Sequence, residues 1–445
     1  MNPFAIERLE PVAAFDSRGT PTVSCEAALA GGARAGVIVP SGASTGTHEA
    51  VELRDGGTAF GGRGVGRAVA AIRDEIAPAV RGLDAHDQTG LDARLRDLDG
   101  TASLARLGAN AVLAVSLAVP LAGAAQAGVP PYRWFAAMGG AGAGAPLLPL
   151  PMINIFSGGA HAPSGLDVQD LLAVPVGATS LPEALAWVWE LRHATASALA
   201  ARGLDAQLVA DEGGFGVPLR DTAEGLELMT AAMTALGMRP GVDMAIAIDV
   251  AANQLRADDG YLLTAEGRRL SGEQLIAEIR SWCQEFPVIS VEDPLAEDDW
   301  DGLALASRAL PETQLVGDDT FVTDAGRLRR AIDAGIASAV LVKPNQCGTL
   351  TGARQVVALA GRAGYATVLS ARSGETEDSW LADLAVGWRT GQIKVGSMTR
   401  SERTAKWNRL LRIADQLGPD APYAGRSALT SRAALDGDAA VAFRQ

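Results

Sequence analysis

The stretch ATVLSARSGETEDSW, Ala366 to Trp380, reads as one complete structural unit. Thr367-Val368-Leu369 is a continuous apolar run, Ser370-Ala371-Arg372-Ser373-Gly374 is a polar tip, and Glu375-Thr376-Glu377-Asp378 has the acidic composition of a helix's first turn. Unbroken rather than alternating apolar residues mark a strand covered on both faces, as in parallel sheets flanked by helices. At the tip, Arg372 and Ser373 offer a guanidinium and a hydroxyl on a backbone made pliable by Gly374, which suits an anionic group such as phosphate.

The same unit recurs outward from this stretch. Apolar runs stand at Leu150–Phe156, Leu171–Val176, Met244–Ile248, Val288–Val291, Gln314–Gly317, Ala339–Val342 and Gln392–Val395, with helical segments between them. About eight such runs in roughly 280 residues predict an α/β fold with a closed β/α barrel of parallel strands rather than an open sheet. The last helix, Glu402–Leu417, is expected to close the ring. The strand ends carry the chemistry: Asp249 follows AIAI, Glu292 follows VISV, Asp318 follows QLVG, Lys343 follows AVLV, Arg372 follows VLSA and Lys394 sits in QIKV. The last five recur about 22 to 29 residues apart, one β/α unit each, so all would point into one mouth at the C-terminal face, where barrel active sites lie.

Upstream the pattern differs. Thr22–Leu29 and Arg34–Pro40 are strand-like and joined through Gly31-Gly32, a hairpin signal, while Gly66–Val80, Gln88–Leu98 and Ala109–Ala125 are helical. Residues 1–138 therefore read as a small α+β domain and 139–445 as the barrel, with the Ala/Gly-rich segment Gly139–Pro151 as the boundary. Pro40 to Glu49, rich in glycine and serine, is a candidate mobile loop.

The 445 residues carry 38 basic and 52 acidic side chains, a net −14, a field that repels polyphosphate and speaks against nucleic acid as a partner. Three scattered cysteines, Cys25, Cys283 and Cys347, give neither a disulfide framework nor a zinc site and fit a reducing cytoplasm. Met1–Phe15 lacks a basic start followed by a long apolar core, so a secretory signal is not expected. The uncharged segment Leu107–Tyr132 contains Asn110, Pro120 and Gln126 and is expected to be a buried helix pair, with no membrane partner.

Asp249, Glu292 and Asp318, unaccompanied by cysteine or histidine, form a hard-oxygen set suited to Mg²⁺ or Mn²⁺. Lys343 is a candidate base, its pKa drawn down from an ordinary value of about 10.4 by the metal and Lys394. Glu212, in the turn Val209-Ala-Asp-Glu-Gly-Gly-Phe215, is a candidate acid, and His161 is a further loop-borne polar group.

These motifs, in one order along nearly the whole chain, resemble enolase, the phosphopyruvate hydratase family: DSRGTPTV from Asp16, PSGASTGTHEAVELRD from Pro40, LGANAVLAVSLA from Leu107, DEGGF, VEDP, GDD, VKPNQCGTL, RSGETED, RTGQIK and RSERTAKWNRLLRI. The resemblance implies an enolase-type barrel capped by the small domain, beginning with two adjacent strands. It implies that Asp249, Glu292 and Asp318 bind a first Mg²⁺, and that Ser44 helps bind a second with the substrate phosphate. Lys343 would take the C2 proton of 2-phosphoglycerate, Glu212 would help hydroxide leave, Arg372 and Ser373 would hold phosphate, and Lys394 would lie near the carboxylate. A metal-assisted lysine base is the arrangement for which this superfamily is the standard illustration. Homodimers or larger homo-oligomers are also implied.

Two positions depart from the family pattern. Ala371 stands where enolases carry histidine, and Asp170 where they carry glutamate; both belong with Glu212 on the side where hydroxide departs. The proton-abstracting side is intact. The expectation is an enzyme that still enolises 2-phosphoglycerate or a close phosphorylated or phosphonate analogue with altered leaving-group chemistry, similar to the enolase-like carboxyphosphonoenolpyruvate synthases of phosphonate biosynthesis. An ordinary hydratase of glycolysis and a non-catalytic enolase scaffold are the alternatives.

Overall fold

The structure, a computed structural model, describes residues 2–43, 46–138, 144–162 and 165–442. Three strands, β1 (Ile6–Phe15), β2 (Pro21–Leu29) and β3 (Arg34–Ile38), form an antiparallel sheet in that order. The expected hairpin is β2–β3, its turn closed by Gly32 at φ +97°, a conformation that costs a residue without Cβ little. β1 was not expected: Glu7, Arg8 and Glu10 interrupt its apolar pattern, and only Ile6, Leu9 and Pro11 are buried. The helix Ala109–Ala127 packs on β2 and β3 and is followed by the helix Pro131–Ala137. It is long and apolar enough to cross a membrane, but 83% of its apolar window is buried within the protein, as expected of a core helix pair. The expected boundary after Met138 adjoins residues 139–143, which lie outside the described residues.

All eight apolar runs are barrel strands: β4 (Leu150–Ser157), β5 (Asp170–Val174), β6 (Ala245–Asp249), β10 (Val288–Glu292), β11 (Gln314–Gly317), β12 (Ala339–Val342), β13 (Ala366–Ser370) and β14 (Gly391–Gly396). A small antiparallel sheet, β7 (Arg256–Ala257), β8 (Gly260–Leu263) and β9 (Arg268–Leu270), interrupts the series after β6. The barrel closes in the order β10-β11-β12-β13-β14-β4-β5-β6. Nearly every strand residue is buried because alternate residues serve two cores. Ala245, Ala247, Leu341 and Val368 fill the barrel interior, while Ile246, Ile248, Val342 and Leu369 pack outward under the helices.

Three expectations need correction. The barrel is mixed, because β5 runs antiparallel to both β4 and β6; β4 and β5 are joined without a helix, so the chain returns at once, with Ser157 opposite Asp170. Glu375–Asp378 is not helical, and the helix spans Trp380–Trp388. Those carboxylates serve distant partners instead: Glu375 Oε2 accepts from Lys406 Nζ at 2.7 Å and Asp378 Oδ2 from the Ile38 N–H at 2.6 Å, which ties the small domain to the end of β13. Finally, the helix Ser401–Leu417 is followed by another, Arg432–Ala442, so it does not end the fold.

Candidate active site

The topology brings the strand-end residues to one mouth. Asp249 and Glu292 end β6 and β10 and face each other in register, Asp318 and Lys343 follow β11 and β12, Lys394 lies near the end of β14, and Asp170 starts the reversed β5. Lys394 Nζ sits between two carboxylates, 2.6 Å from Asp249 Oδ2 and 2.8 Å from Glu292 Oε2. Gln169 Nε2 also donates to Asp249 Oδ2, at 2.9 Å. Lys343 Nζ is ion-paired with Asp318, whose other oxygen accepts from Gln346 Nε2 at 2.9 Å. The three carboxylates expected to meet are thus separated by two ammonium groups. Among the described residues, the compact trio made of carboxylates alone, with oxygens within 4.8 Å of one another, is Asp293, Asp318 and Asp319.

This centre is short of positive charge. Burial and the neighbouring Asp249 lift the Glu292 carboxyl well above its usual range, and burial and Asp318 push Asp319 up to about 7. Glu292 Oε1 is buried with no hydrogen-bond partner. Five carboxylates, an orphaned oxygen and no sulfur or imidazole among them make a donor set that fits a hard divalent cation. Mg²⁺ at 100 times its dissociation constant is expected to stabilise the fold by about 2.7 kcal/mol. A rise in the thermal unfolding midpoint with Mg²⁺, lost in Glu292→Gln, checks this; an unchanged midpoint in the wild type contradicts it.

Lys343 differs from expectation. Burial, Arg372 and Lys394 lower its pKa, but Asp318 and Glu292 together outweigh them, so in this setting the ammonium is held protonated.

On the opposite side of the mouth, Asp170 Oδ1 accepts from Asn154 Nδ2 at 2.6 Å and Ser157 Oγ at 2.9 Å, and Oδ2 lies 3.4 Å from His161 Nδ1. Asn154 Nδ2 also reaches Glu212 Oε2 at 3.5 Å. Burial opposes charge on both His161 and Glu212. For His161, Asp170 and Glu212 outweigh it and lift the imidazole to about 9; for Glu212, His161 and Arg403 outweigh it and keep the carboxyl low. Near neutral pH the transferable proton on this side is therefore on His161, not on Glu212. The folded value lies above the ordinary 6.5, so the stabilisation from this charge is complete below about 6.5 and is lost as pH rises through about 9. A thermal midpoint that falls across that window in the wild type, and falls less in His161→Gln, is the expected result.

Arg372 is engaged by the small domain: its terminal nitrogens lie 2.9 and 3.3 Å from the two oxygens of Glu49, and Nη1 also donates to Asn345 Oδ1 at 3.0 Å. Ser373 Oγ accepts from the Ala43 N–H at 2.6 Å. Ala43 and Glu49 therefore lie against the β13 tip, while Ser44 lies outside the described residues. A narrow cavity of about 20 Å³ opens among these groups, lined by His161, Gln169, Asp170, Glu212, Lys343, Ser370, Ala371, Arg372, Ser373 and Lys394. The two positions that depart from the family pattern, Asp170 and Ala371, both line it.

Several contributors escaped the sequence reading. Asn154 lies inside a strand that reads as apolar, Ser157 ends it, and Gln169 precedes the next. Asp293 and Asp319 stood in plain view as the second acids of VEDP and GDD. Asp293 Oδ1 accepts from the Asp318 N–H at 3.1 Å and Oδ2 from the Asp319 N–H at 2.7 Å, so it shapes the turn that carries Asp318.

Two family models account for nearly all of this architecture. Residues 6–135 match the enolase N-terminal domain and residues 145–432 match the enolase C-terminal TIM barrel domain. With both domains matched in order and the acid- and lysine-lined mouth in place, the chain belongs to the enolase family.

Proposed function

We propose that this protein is a Mg²⁺-dependent enzyme that removes the C2 proton of 2-phosphoglycerate or a close analogue, and that its handling of the β-substituent differs from that of a hydratase. The observation that carries the second half is Ala371, a buried methyl on the cavity wall that also holds Asp170, Glu212 and His161. The first half is supported by Lys343, Lys394 and the acidic centre, all facing the same cavity.

Asp249, Glu292 and Asp318 would hold the first Mg²⁺, with Asp293 and Asp319 completing the negative field, and Ser44 would contribute to the second. Mg²⁺ held there would supply positive charge to offset the charge that develops on a substrate carboxylate. Lys343 Nζ takes the C2 proton once Asp318 and Glu292 are engaged elsewhere, since burial, Arg372 and Lys394 then favour the neutral amine. The electron pair left at C2 moves into the carboxylate, next to the Lys394 ammonium. Arg372 and Ser373 hold the phosphate. On the far face, His161 holds the proton that a departing β-group needs, with Glu212 and Asp170 keeping it there. The shortened Asp170 carboxylate and the missing ring at Ala371 leave that face with fewer groups to direct departure and with more space for a larger substituent. This is the pattern of the carboxyphosphonoenolpyruvate synthase-like branch. A homodimer is part of the same reading.

In D₂O with Mg²⁺, 2-phosphoglycerate is expected to exchange its C2 hydrogen at least about a hundredfold faster than it yields phosphoenolpyruvate. Phosphoenolpyruvate formation at the rate of exchange would make the protein an ordinary hydratase. No exchange at all would make it a scaffold.

A further inference from the structure

Resting on that reading, we propose that Arg403 is a positioning residue that fixes the phosphate clamp and the Glu212 turn relative to each other. It is the third residue of the helix Ser401–Leu417, where a cation opposes the helix dipole, so the helix itself gains nothing from it. The side chain is fully buried. Nη1 donates to the carbonyls of Arg372 at 2.6 Å and Val395 at 3.0 Å, and Nη2 to those of Ser373 at 2.5 Å and Asp211 at 3.5 Å. Its nearest carboxylate oxygens are Glu402 Oε1 at 3.5 Å and Glu212 Oε1 at 3.9 Å. One guanidinium thus joins three segments: the tip beyond β13, the end of β14 and the turn that carries Glu212.

The contacts answer a backbone need. Past Ser370 the chain has left the barrel, and the buried carbonyls of Arg372 and Ser373 require donors from elsewhere. The sequence also leaves room for the donor. At Gly396, φ +113°, a Cβ would lie 2.9 Å from Arg403 Cδ and 2.8 Å from the Glu212 carbonyl. A planar fork of donors can serve several carbonyls at once, whereas a lysine ammonium is a single point. Lys343 depends on other supports, Thr323 Oγ1 at 2.9 Å from its N–H and the carboxylate of Asp318.

The test compares wild type, Arg403→Lys and Arg403→Gln with Mg²⁺ and 2-phosphoglycerate, alongside amide hydrogen exchange of the same proteins without substrate. In Arg403→Lys, KM for C2 hydrogen exchange is expected to rise about tenfold while its kcat stays within about threefold. Amides in 370–376 and in 209–215 are expected to exchange faster together, with the helix 404–417 still protected. Arg403→Gln is expected to show the same pattern more strongly. An unchanged KM, unchanged exchange in either segment, or loss of protection along the whole helix overturns the proposal, the last by making Arg403 a simple fold anchor. If the wild type shows no C2 exchange, the functional reading fails, and the two amide segments alone decide the role of Arg403.

Discussion

Lys343→Ala is expected to lower Mg²⁺-dependent exchange of the C2 hydrogen of 2-phosphoglycerate by about 10³-fold, the range for loss of a general base. No other described cation is placed to substitute. Lys394 is held between Asp249 and Glu292, and those two carboxylates keep its ammonium protonated against the effect of burial. Arg372 cannot act as a base. The variant should still fold, because Asp318 retains the Gln346 donor, and it should still bind Mg²⁺ because the acids are untouched. Deuterium incorporation followed by NMR, with Mg²⁺ binding by calorimetry, checks both halves. Exchange within about tenfold of wild type would assign proton abstraction to another group.

The second large effect concerns the departing group. Introducing Ala371→His together with Asp170→Glu is expected to raise phosphoenolpyruvate formation from 2-phosphoglycerate by about a hundredfold or more, with C2 exchange changed little. The position is suited to such a gain. The Ala371 N–H is fixed on the Lys394 carbonyl at 2.9 Å, so the backbone is already set, and the side chain lines the cavity shared with Glu212 and His161. The Asp170→Glu change would extend the carboxylate one methylene further toward that space. The singles should fall between wild type and the double, read in a coupled assay for phosphoenolpyruvate. A double variant no faster than wild type would mean that the leaving-group side is limited by something other than these two positions.

Much of the fold was legible because barrel strands declare themselves in unbroken apolar runs, and all eight did so. Direction is a different matter. The run Leu171–Val176 looks the same whether it points up or down the barrel, and only the missing helix between β4 and β5 betrays its reversal. The acids and lysines at strand ends were legible for the same reason as the strands, since a charge directly after an apolar run has few places to go but the rim. Their partners were not. That Lys394 would lie between Asp249 and Glu292, and Lys343 on Asp318, depends on side chains meeting across the mouth, which spacing along the chain does not encode. Glu375 and Asp378 show the converse. Their acidic run looks like a helix start, yet both carboxylates are taken up by tertiary partners far away in sequence.

The reversed β5 also bears on how such a site can diverge. In an all-parallel barrel each strand meets the mouth only at its end, and the next residues must turn back through a helix. Here β4 ends and β5 begins at the mouth, so the connection between them brings His161 and Gln169 to the site, and its described residues form no helix. Changes in its length or composition would reshape the roof over the β-substituent while the metal-side acids and the lysines, anchored on the parallel strands, stay in register. Selection for a new reaction could act on that one connection and on Ala371 across from it, leaving the proton-abstracting half as inherited hardware.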